Sequence, residues 1–335
     1  MRTPTRPIWA TMVEAIRSAE KVVIVSHHSP DGDAIGSMIA LREIVHDLHR
    51  EAHLFLPESV PQSFRFIDPE NSIRTYDPEK DGDALLDSDL WFCLDFNAPS
   101  RMGKMNDLLG KYEGDVICID HHKSSEPFGQ IMFTDETAAA TGLLLAEWAE
   151  WQGGPWTETL ITALYSAIVS DTGGFRHTNT DARSLSIAAR LVERGADPYV
   201  ICHNLYECWS EGRLRLLLRV LDTLQVDRDI KTAFLQVLRS DFEATGTGPQ
   251  DLEEFVNYGR MLEKIEVAIL LCELRDNQCK ASIRSNGVVD VEEIARSLGG
   301  GGHQGASGVR FDLPIEEARE KLRQAIRSYR QANRK

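Results

Sequence analysis

Aspartate and histidine gather at four places in the first half of the chain, each just after an apolar run. The first is His27-His28-Ser29-Pro30-Asp31-Gly32-Asp33, which follows KVVIVS. The second is Asp95, closing LWFCLD; the third is Asp120-His121-His122, closing VICID; the fourth is SDTGGFRH at 170–177. Each alone has an ordinary reading. The first can be a solvated turn with Asp33 as a helix N-cap. Asp95 can be a polar residue leaving a strand, Asp120–His122 a surface loop, and Gly173-Gly174 a helix C-cap. Four loops that all deliver carboxylate or imidazole are a different matter, because those are the donors of a divalent-metal site. Carboxylate with imidazole suits Mn²⁺ or Fe²⁺, and carboxylate alone suits Mg²⁺. The lack of cysteine among these donors argues against structural zinc.

The elements between the clusters read as an α/β fold. Residues 21–26 form a continuous β-branched run, the pattern of a strand buried on both faces. Apolar residues then recur at helical spacing from 34 to about 50. Strand-like runs return at 52–56, 90–95 and 116–120, with helical patterns at 137–151 and 158–170. This alternation implies a parallel sheet with right-handed crossovers. In such sheets ligands bind beyond the carboxyl ends of the strands, where these clusters fall.

The stretch 181–222 reads as mostly helical, with a break near 195–198. Beyond it, strand-like runs occur at 232–238, 266–274, 280–284 and 307–311. Helices are expected at 252–262, 291–298 and 314–329, the last with Pro314 in its first turn. A chain of 335 residues is too long for one comfortable core. The expected division is a catalytic domain at 1–185, a helical linker at 186–228 and a smaller α/β domain at 229–335.

The second domain carries GGGGHQGASG at 299–308. Backbone amides of a glycine-rich loop can approach an anion closely, and His303 adds a donor or a cation. Arg284, in SIRS on the preceding strand, can clamp a phosphate. A strand–helix–glycine–strand order speaks against a mere linker.

The formal net charge of −15 argues against a broad grip on long duplex nucleic acid, since phosphate neutralisation supplies most of that affinity. It leaves room for a small pocket in which cations invert the local field. Of six cysteines, Cys93, Cys118 and Cys272 sit in apolar runs and read as buried hydrophobes; no disulfide framework is expected. No run is long enough to span a membrane and no secretory signal is seen, so the cytoplasm is the expected location.

These motifs resemble the DHH family of phosphoesterases, in the subfamily that carries a DHHA1 domain. The resemblance rests on HHSPDGDAIGS at 27–37, LDFN with Arg101 following, DHH at 120–122, SDTGGF at 170–175 and GGGGHQGASG at 299–308. It covers almost the whole chain with its motifs in order, and is nearest to the nanoRNase and pAp phosphatase group. The resemblance implies a parallel-sheet DHH domain joined by a helical linker to the DHHA1 domain, and two divalent cations, foremost Mn²⁺, with Mg²⁺ or Fe²⁺ also open. His27 and Asp31 would hold one metal; Asp33, His121 and Asp171 would hold the second; Asp95 would bridge them. His28 beside His27 offers a rival imidazole, but the spacing to Pro30 favours His27. Asp120 would orient a histidine, His122 would meet the scissile phosphate or the leaving oxygen, and Arg101 would contact phosphate. Arg284 and His303, with Gly300, Gly301, Gly302 and Ser307, would bind the nucleotide end of the substrate. His177 is given no role.

The activity so implied is hydrolysis of short oligoribonucleotides such as pApA, and removal of the 3′-phosphate of pAp. The partners are then a short RNA or nucleotide, with a homodimer left open. Cleavage of c-di-AMP, a single-strand exonuclease, a family II pyrophosphatase and a nucleotide sensor without catalysis are the other readings. The exonuclease normally needs added binding domains, the pyrophosphatase has a different second-domain signature, and the sensor should have lost a ligand. The second domain is expected to act as a ruler that favours very short substrates. Arg284→Ala is therefore expected to raise KM far more than it alters metal content, and an unchanged KM would sink the ruler.

Overall fold

The computed structural model describes residues 6–122, 127–275 and 277–333. The chain divides into two compact units, Met1–Cys208 and Trp209–Lys335. Among the described residues no helix is long and apolar enough to cross a membrane, and all six cysteines are free thiols.

The first unit is built on six strands: β1 (Lys21–Val25), β2 (Glu51–Leu56), β3 (Ile73–Thr75), β4 (Leu90–Leu94), β5 (Asp115–Asp120) and β6 (Ile131–Thr134). They pair in the order β3-β2-β1-β4-β5-β6, every pair parallel. The order reverses direction between β1 and β4, so the chain leaves these neighbours towards opposite sides and opens a crevice at their carboxyl ends. The continuous apolar runs are explained by two covered faces. Val22, Ile24, Phe92, Leu94, Ile117 and Ile119 enter one core, while Val23, Val25, Trp91, Cys93, Val116 and Cys118 enter another.

The helices of this unit are α1 (Arg6–Ser18), α2 (Gly32–Asp47), α3 (Gly82–Leu86), α4 (Asn106–Leu109), α5 (Thr141–Gln152), α6 (Glu158–Asp171), α7 (Ala182–Glu193) and α8 (Pro198–Cys202). α2, α5 and α6 pack on one another, and glycine sets how closely. A Cβ on Gly36 would stand 2.5 Å from the carbonyl oxygen of Ala163, and one on Gly32 would stand 2.5 Å from Ser170 Oγ. α2 can therefore lie against α6 at near backbone contact.

The second unit holds β7 (Gln225–Asp227), β8 (Thr232–Val237), β9 (Val267–Arg275), β10 (Gln278–Ser285), β11 (Gly301–His303) and β12 (Ala306–Phe311), in the order β11-β12-β10-β9-β8-β7. Only β8 and β9 run parallel. Its helices are α9 (Glu211–Asp222), α10 (Arg239–Thr245), α11 (Phe255–Arg260), α12 (Val291–Ser297) and α13 (Ile315–Ala332). α12 and α13 cover the face that carries Ile269, Ile283, Val309 and Phe311, and α9 and α11 cover the face that carries Leu235, Ala268 and Leu270.

Several elements differ from the sequence reading. Asp31, not Asp33, caps α2, its Oδ1 accepting the Asp33 and Ala34 amides at 3.0 Å each. The helix expected from 137 starts at Thr141. The one expected at 252–262 is a 3-10 turn and α11, divided by Glu254 at φ 69°. Pro314 is the N-cap of α13 rather than a first-turn residue. The glycine stretch is partly strand, because residues 301–303 pair with β12. Short β3, β6, β7 and β11 have no distinct apolar signal of their own.

Gly36→Val is expected to force α2 away from α6 and to destabilise the protein by roughly 1–3 kcal/mol, the usual range for overpacking. Urea unfolding monitored by circular dichroism measures this, and unchanged stability would show that the helices can separate freely.

Candidate metal centre

The turn after β1, the ends of β4 and β5, and the end of α6 bring the expected ligands together. His27, Asp31 and Asp95 each offer a donor atom within 4.8 Å of the others, and so do Asp95, His121 and His122. Asp95 is common to both groups. Its backbone has φ 66°, a left-handed conformation that aspartate tolerates better than most residues and that turns the chain sharply off β4. One carboxylate oxygen lies 3.4 Å from His27 Nε2 and the other 3.4 Å from His121 Nε2. His121 Nε2 is also 3.7 Å from Asp33 and 3.8 Å from Asp171.

The orientation of the rings tests whether these residues fit a metal. His27 Nδ1–H donates to the His28 carbonyl at 2.9 Å, and His121 Nδ1–H donates to the Ala138 carbonyl at 3.3 Å. Both rings thereby turn Nε2 toward carboxylates, the orientation of a metal-ligating histidine. Nε2 of His121 is buried without a well-formed hydrogen bond. A buried nitrogen aimed at three carboxylates fits a cation between them.

His122 is placed differently. Its Nδ1 donates to Asp120 Oδ1 at 2.8 Å, and it is the more open ring, at 25% side-chain exposure against 12% for His121. Asp120 is buried, and among the described residues its Oδ2 has no hydrogen-bond partner. Arg101 also reaches the cluster: its Nη2 is 3.2 Å from His27 Nδ1, and its carbonyl accepts from the His28 amide at 2.7 Å. His28 Nδ1–H donates to that same carbonyl at 2.9 Å, and His28 belongs to neither donor group. His177 lies over Gly173, with Nδ1 3.3 Å from the Asp171 carbonyl.

The sequence reading missed the segment 138–142. Ala140 caps α5 without a side-chain bond. The carboxylate of Asp33, more than a hundred residues earlier, accepts from the Thr141 amide at 2.7 Å and the Gly142 amide at 2.9 Å. Thr141 Oγ1 donates to Asp95 Oδ1 at 3.0 Å. Asn179 Nδ2 contacts the Ala139 carbonyl at 3.0 Å and Asp171 Oδ2 at 3.1 Å. A weak helix-start signal in AAATG hides this role, since no cap residue marks it.

Burial is the largest influence on the ionisable groups here. It pushes the Asp33 carboxyl well above the ordinary carboxylate range, with the Asp95 charge adding to the rise, while the two α5 amides work against it. Burial raises Asp171 to about 7, against the pull of His121 and with Asp31 and Asp95 adding. Asp95 is raised by burial but held well below the ordinary range by the imidazoles of His121 and His27. Burial lowers the imidazoles, yet Asp95 leaves His27 raised and His121 well raised, and Asp120 leaves His122 raised.

The candidates of the second unit lie on or next to β10, β11 and β12. Arg284 pairs in register with Ala306, and Ala306 pairs with His303. Ser307 pairs with Ile283 and Gly302, so it lies on the opposite, core-packed face and is buried. A Cβ on Gly300 would meet the Gly308 carbonyl oxygen at 2.2 Å, and one on Gly302, at φ 146°, would meet the Ala306 carbonyl oxygen at 2.5 Å. These two glycines are required by the strand pair itself. Gly301 has open space. Burial lowers the pKa of the half-buried Arg284, whose Nη1 donates to the Ile283 carbonyl at 3.1 Å. The His303 side chain lies outside the described residues.

Residues 21–168 match the DHH family, N-terminal domain, and residues 231–332 match the DHHA1 domain. The chain is 31% identical to the bifunctional oligoribonuclease and PAP phosphatase NrnA of Thermus thermophilus, over 97% of this chain and 96% of that protein. The chain belongs to the DHH family. It is a metal-dependent DHH phosphoesterase with a DHHA1 domain, and its acid–histidine cluster offers donors that could hold a metal ion. An exopolyphosphatase-related protein from Bacteroides fragilis has a similar structure, with a TM-score of 0.93, 28% identity and 99% of each chain covered. The cyclic-di-AMP phosphodiesterase GdpP of Bacillus subtilis is 26% identical over 98% of this chain, which spans only 50% of that longer protein.

The raised groups give the metal-free protein a definite pH dependence. A carboxyl raised from 3.8 to about 7, as at Asp171, binds more protons folded than unfolded, so stability falls as pH climbs through that interval. Raised His27 and His121 act in the same sense, since their contribution is present below about 6.5 and is lost as pH rises through the folded values. The protein in EDTA is expected to melt lower at pH 8 than at pH 6, and saturating Mn²⁺ to remove or reverse that order because binding displaces these protons. Thermal melts at both pH values check it, and equal sensitivity with and without Mn²⁺ would place the protons elsewhere.

Proposed function

We propose that this protein hydrolyses short oligoribonucleotides such as pApA to mononucleotides and dephosphorylates pAp to AMP. The carrying observation is Asp95, shared between two donor groups and flanked by histidines whose Nε2 atoms both face it. The similarity to NrnA over nearly the full length of both chains supports the substrate class. A cytoplasmic location belongs to the same proposal.

In this reading His27 and Asp31 hold one cation, Asp33, His121 and Asp171 the other, and Asp95 both. Carboxylate with imidazole favours Mn²⁺, with Mg²⁺ or Fe²⁺ as substitutes. When bound, such a pair acidifies water and neutralises charge on the phosphoryl oxygens. The protein's own residues do the rest. Asp120 orients the His122 ring, and His122 would meet the scissile phosphate or the leaving oxygen. Arg101, beside His27, supplies a guanidinium that would contact phosphate. In the second unit, Arg284 and the strand edge at Gly301 and His303 bind the nucleotide end of the substrate.

A second reading is cleavage of c-di-AMP, favoured by the match of nearly the whole chain to half of GdpP. Product analysis on pApA, pAp and c-di-AMP, with Mn²⁺ or with chelator, separates the two. AMP is expected from pApA and pAp only with metal, and Asp95→Asn is expected to lower kcat at least about 100-fold through loss of the shared charge. Turnover of c-di-AMP alone would overturn the main reading in favour of the second.

A further inference from the structure

We propose that Thr141 is a positioning residue that sets the shared Asp95 carboxylate against Asp33. The segment Ala138–Gly142 positions Asp33, Asp95 and, through Asn179, Asp171. This inference rests on the metal-centre reading above and goes beyond its ligands.

Four of the five residues Ala138–Gly142 contact His121, Asp33 and Asp95 directly, or Asp171 through Asn179. The Ala138 carbonyl accepts from His121 Nδ1, which fixes the tautomer and plane of that ring. The Ala139 carbonyl holds Asn179, whose amide also meets Asp171 Oδ2. The Thr141 and Gly142 amides each take one oxygen of Asp33. The Thr141 hydroxyl takes Asp95 Oδ1. Thr141 is fully buried, as is Ala140. A Cβ on Gly142 would stand 2.3 Å from the Ala167 side chain, so α5 lies close against α6 at this point.

The physical logic is that of neutral donors. Asp33, Asp95 and Asp171 converge on His121, and without support their repulsion would spread them. Amide and hydroxyl donors hold carboxylates in place while leaving their charge for a cation. Within this segment Thr141 is the residue that joins two of the acids. Its backbone N–H holds Asp33 and its side-chain O–H holds Asp95, so the separation of the two is set within one residue. The hydroxyl occupies one lone pair of Oδ1 and leaves Oδ2 to face His27.

The test compares Thr141→Val, which keeps shape and amide but loses the hydroxyl, with Thr141→Ser, which keeps both hydrogen bonds. In the full chain, Mn²⁺ is titrated by calorimetry, the Mn²⁺ pair is followed by electron paramagnetic resonance, and kcat and KM are measured on pApA. Thr141→Val is expected to weaken Mn²⁺ binding and lower kcat by about 10- to 100-fold, the usual cost of losing a group that orients a ligand. KM should stay within about twofold, and the spin-coupled signal of a metal pair should give way to that of isolated ions. Thr141→Ser should stay within about threefold of the parent. A valine variant with unchanged coupling, affinity and kcat overturns the inference. So does a serine variant as impaired as valine, because packing would then be the role. If the valine variant loses its melting transition, Thr141→Ala is read by the same criteria. A parent protein that binds no Mn²⁺ and cleaves neither pApA nor pAp would instead sink the metal-centre reading itself.

Discussion

Everything in the first unit answers to one electrostatic constraint: carboxylates of like charge must be held together where little water can screen them. Asp33 and Asp95 are buried, and Asp31 and Asp95 both place an oxygen in a 4.8 Å cluster with His27. At an effective dielectric constant of about 20, two charges roughly 4 Å apart repel by about 4 kcal/mol. A single neutral hydrogen bond returns about 1 kcal/mol. No one donor can hold such a group, so the fold applies many. His121 contacts three acids, the start of α5 takes Asp33, Asn179 takes Asp171, and the start of α2 takes Asp31. A cation is the natural complement to what repulsion remains.

Topology brings these donors to one point. β1 and β4 are neighbours whose chains depart in opposite directions, so His27 and Asp95 emerge side by side with space between them. β5 adds Asp120 and the two histidines. Helices supply the rest only because glycine lets them approach. Gly32 and Gly36 set α2 against α6, and Gly142 sets α5 against both. The helix starts matter as much as the side chains, for the N-terminal amides of α5 carry partial positive charge to which Asp33 is the counterion. A carboxylate of the proposed metal site thus also caps a distant helix, so the position of Asp33 depends on where α5 begins.

The clusters His27–Asp33, Asp95, Asp120–His122 and Ser170–His177 were legible as metal chemistry because aspartate and histidine at strand ends have few other uses in such density. The parallel sheet was legible because runs buried on both faces leave no polar alternation. The family resemblance carried the division of labour among the ligands. Other features stayed hidden. In AAATG the amides do the work, and amides are the same for every residue. Thr141 read as the interior of a helix, since Ala140 gives no cap signal to move the boundary. In the glycine run, the close backbone contacts that two of its glycines allow between β11 and β12, and the core-facing place of Ser307, were not legible either.

The sequence by itself determined the inventory: which donors exist, that they end strands, and that two differently patterned halves follow one another. Those properties are local, written in side-chain type and in periods of two and 3.6 residues. Only the tertiary structure decided which oxygen of Asp95 faces which histidine, which nitrogen of each ring is left for a cation, and that Asp33 is held by amides 108 and 109 residues away. These are matters of ångströms between segments remote in the chain. They depend on how closely backbones can pack, which residue type records only faintly, through the absence of a Cβ.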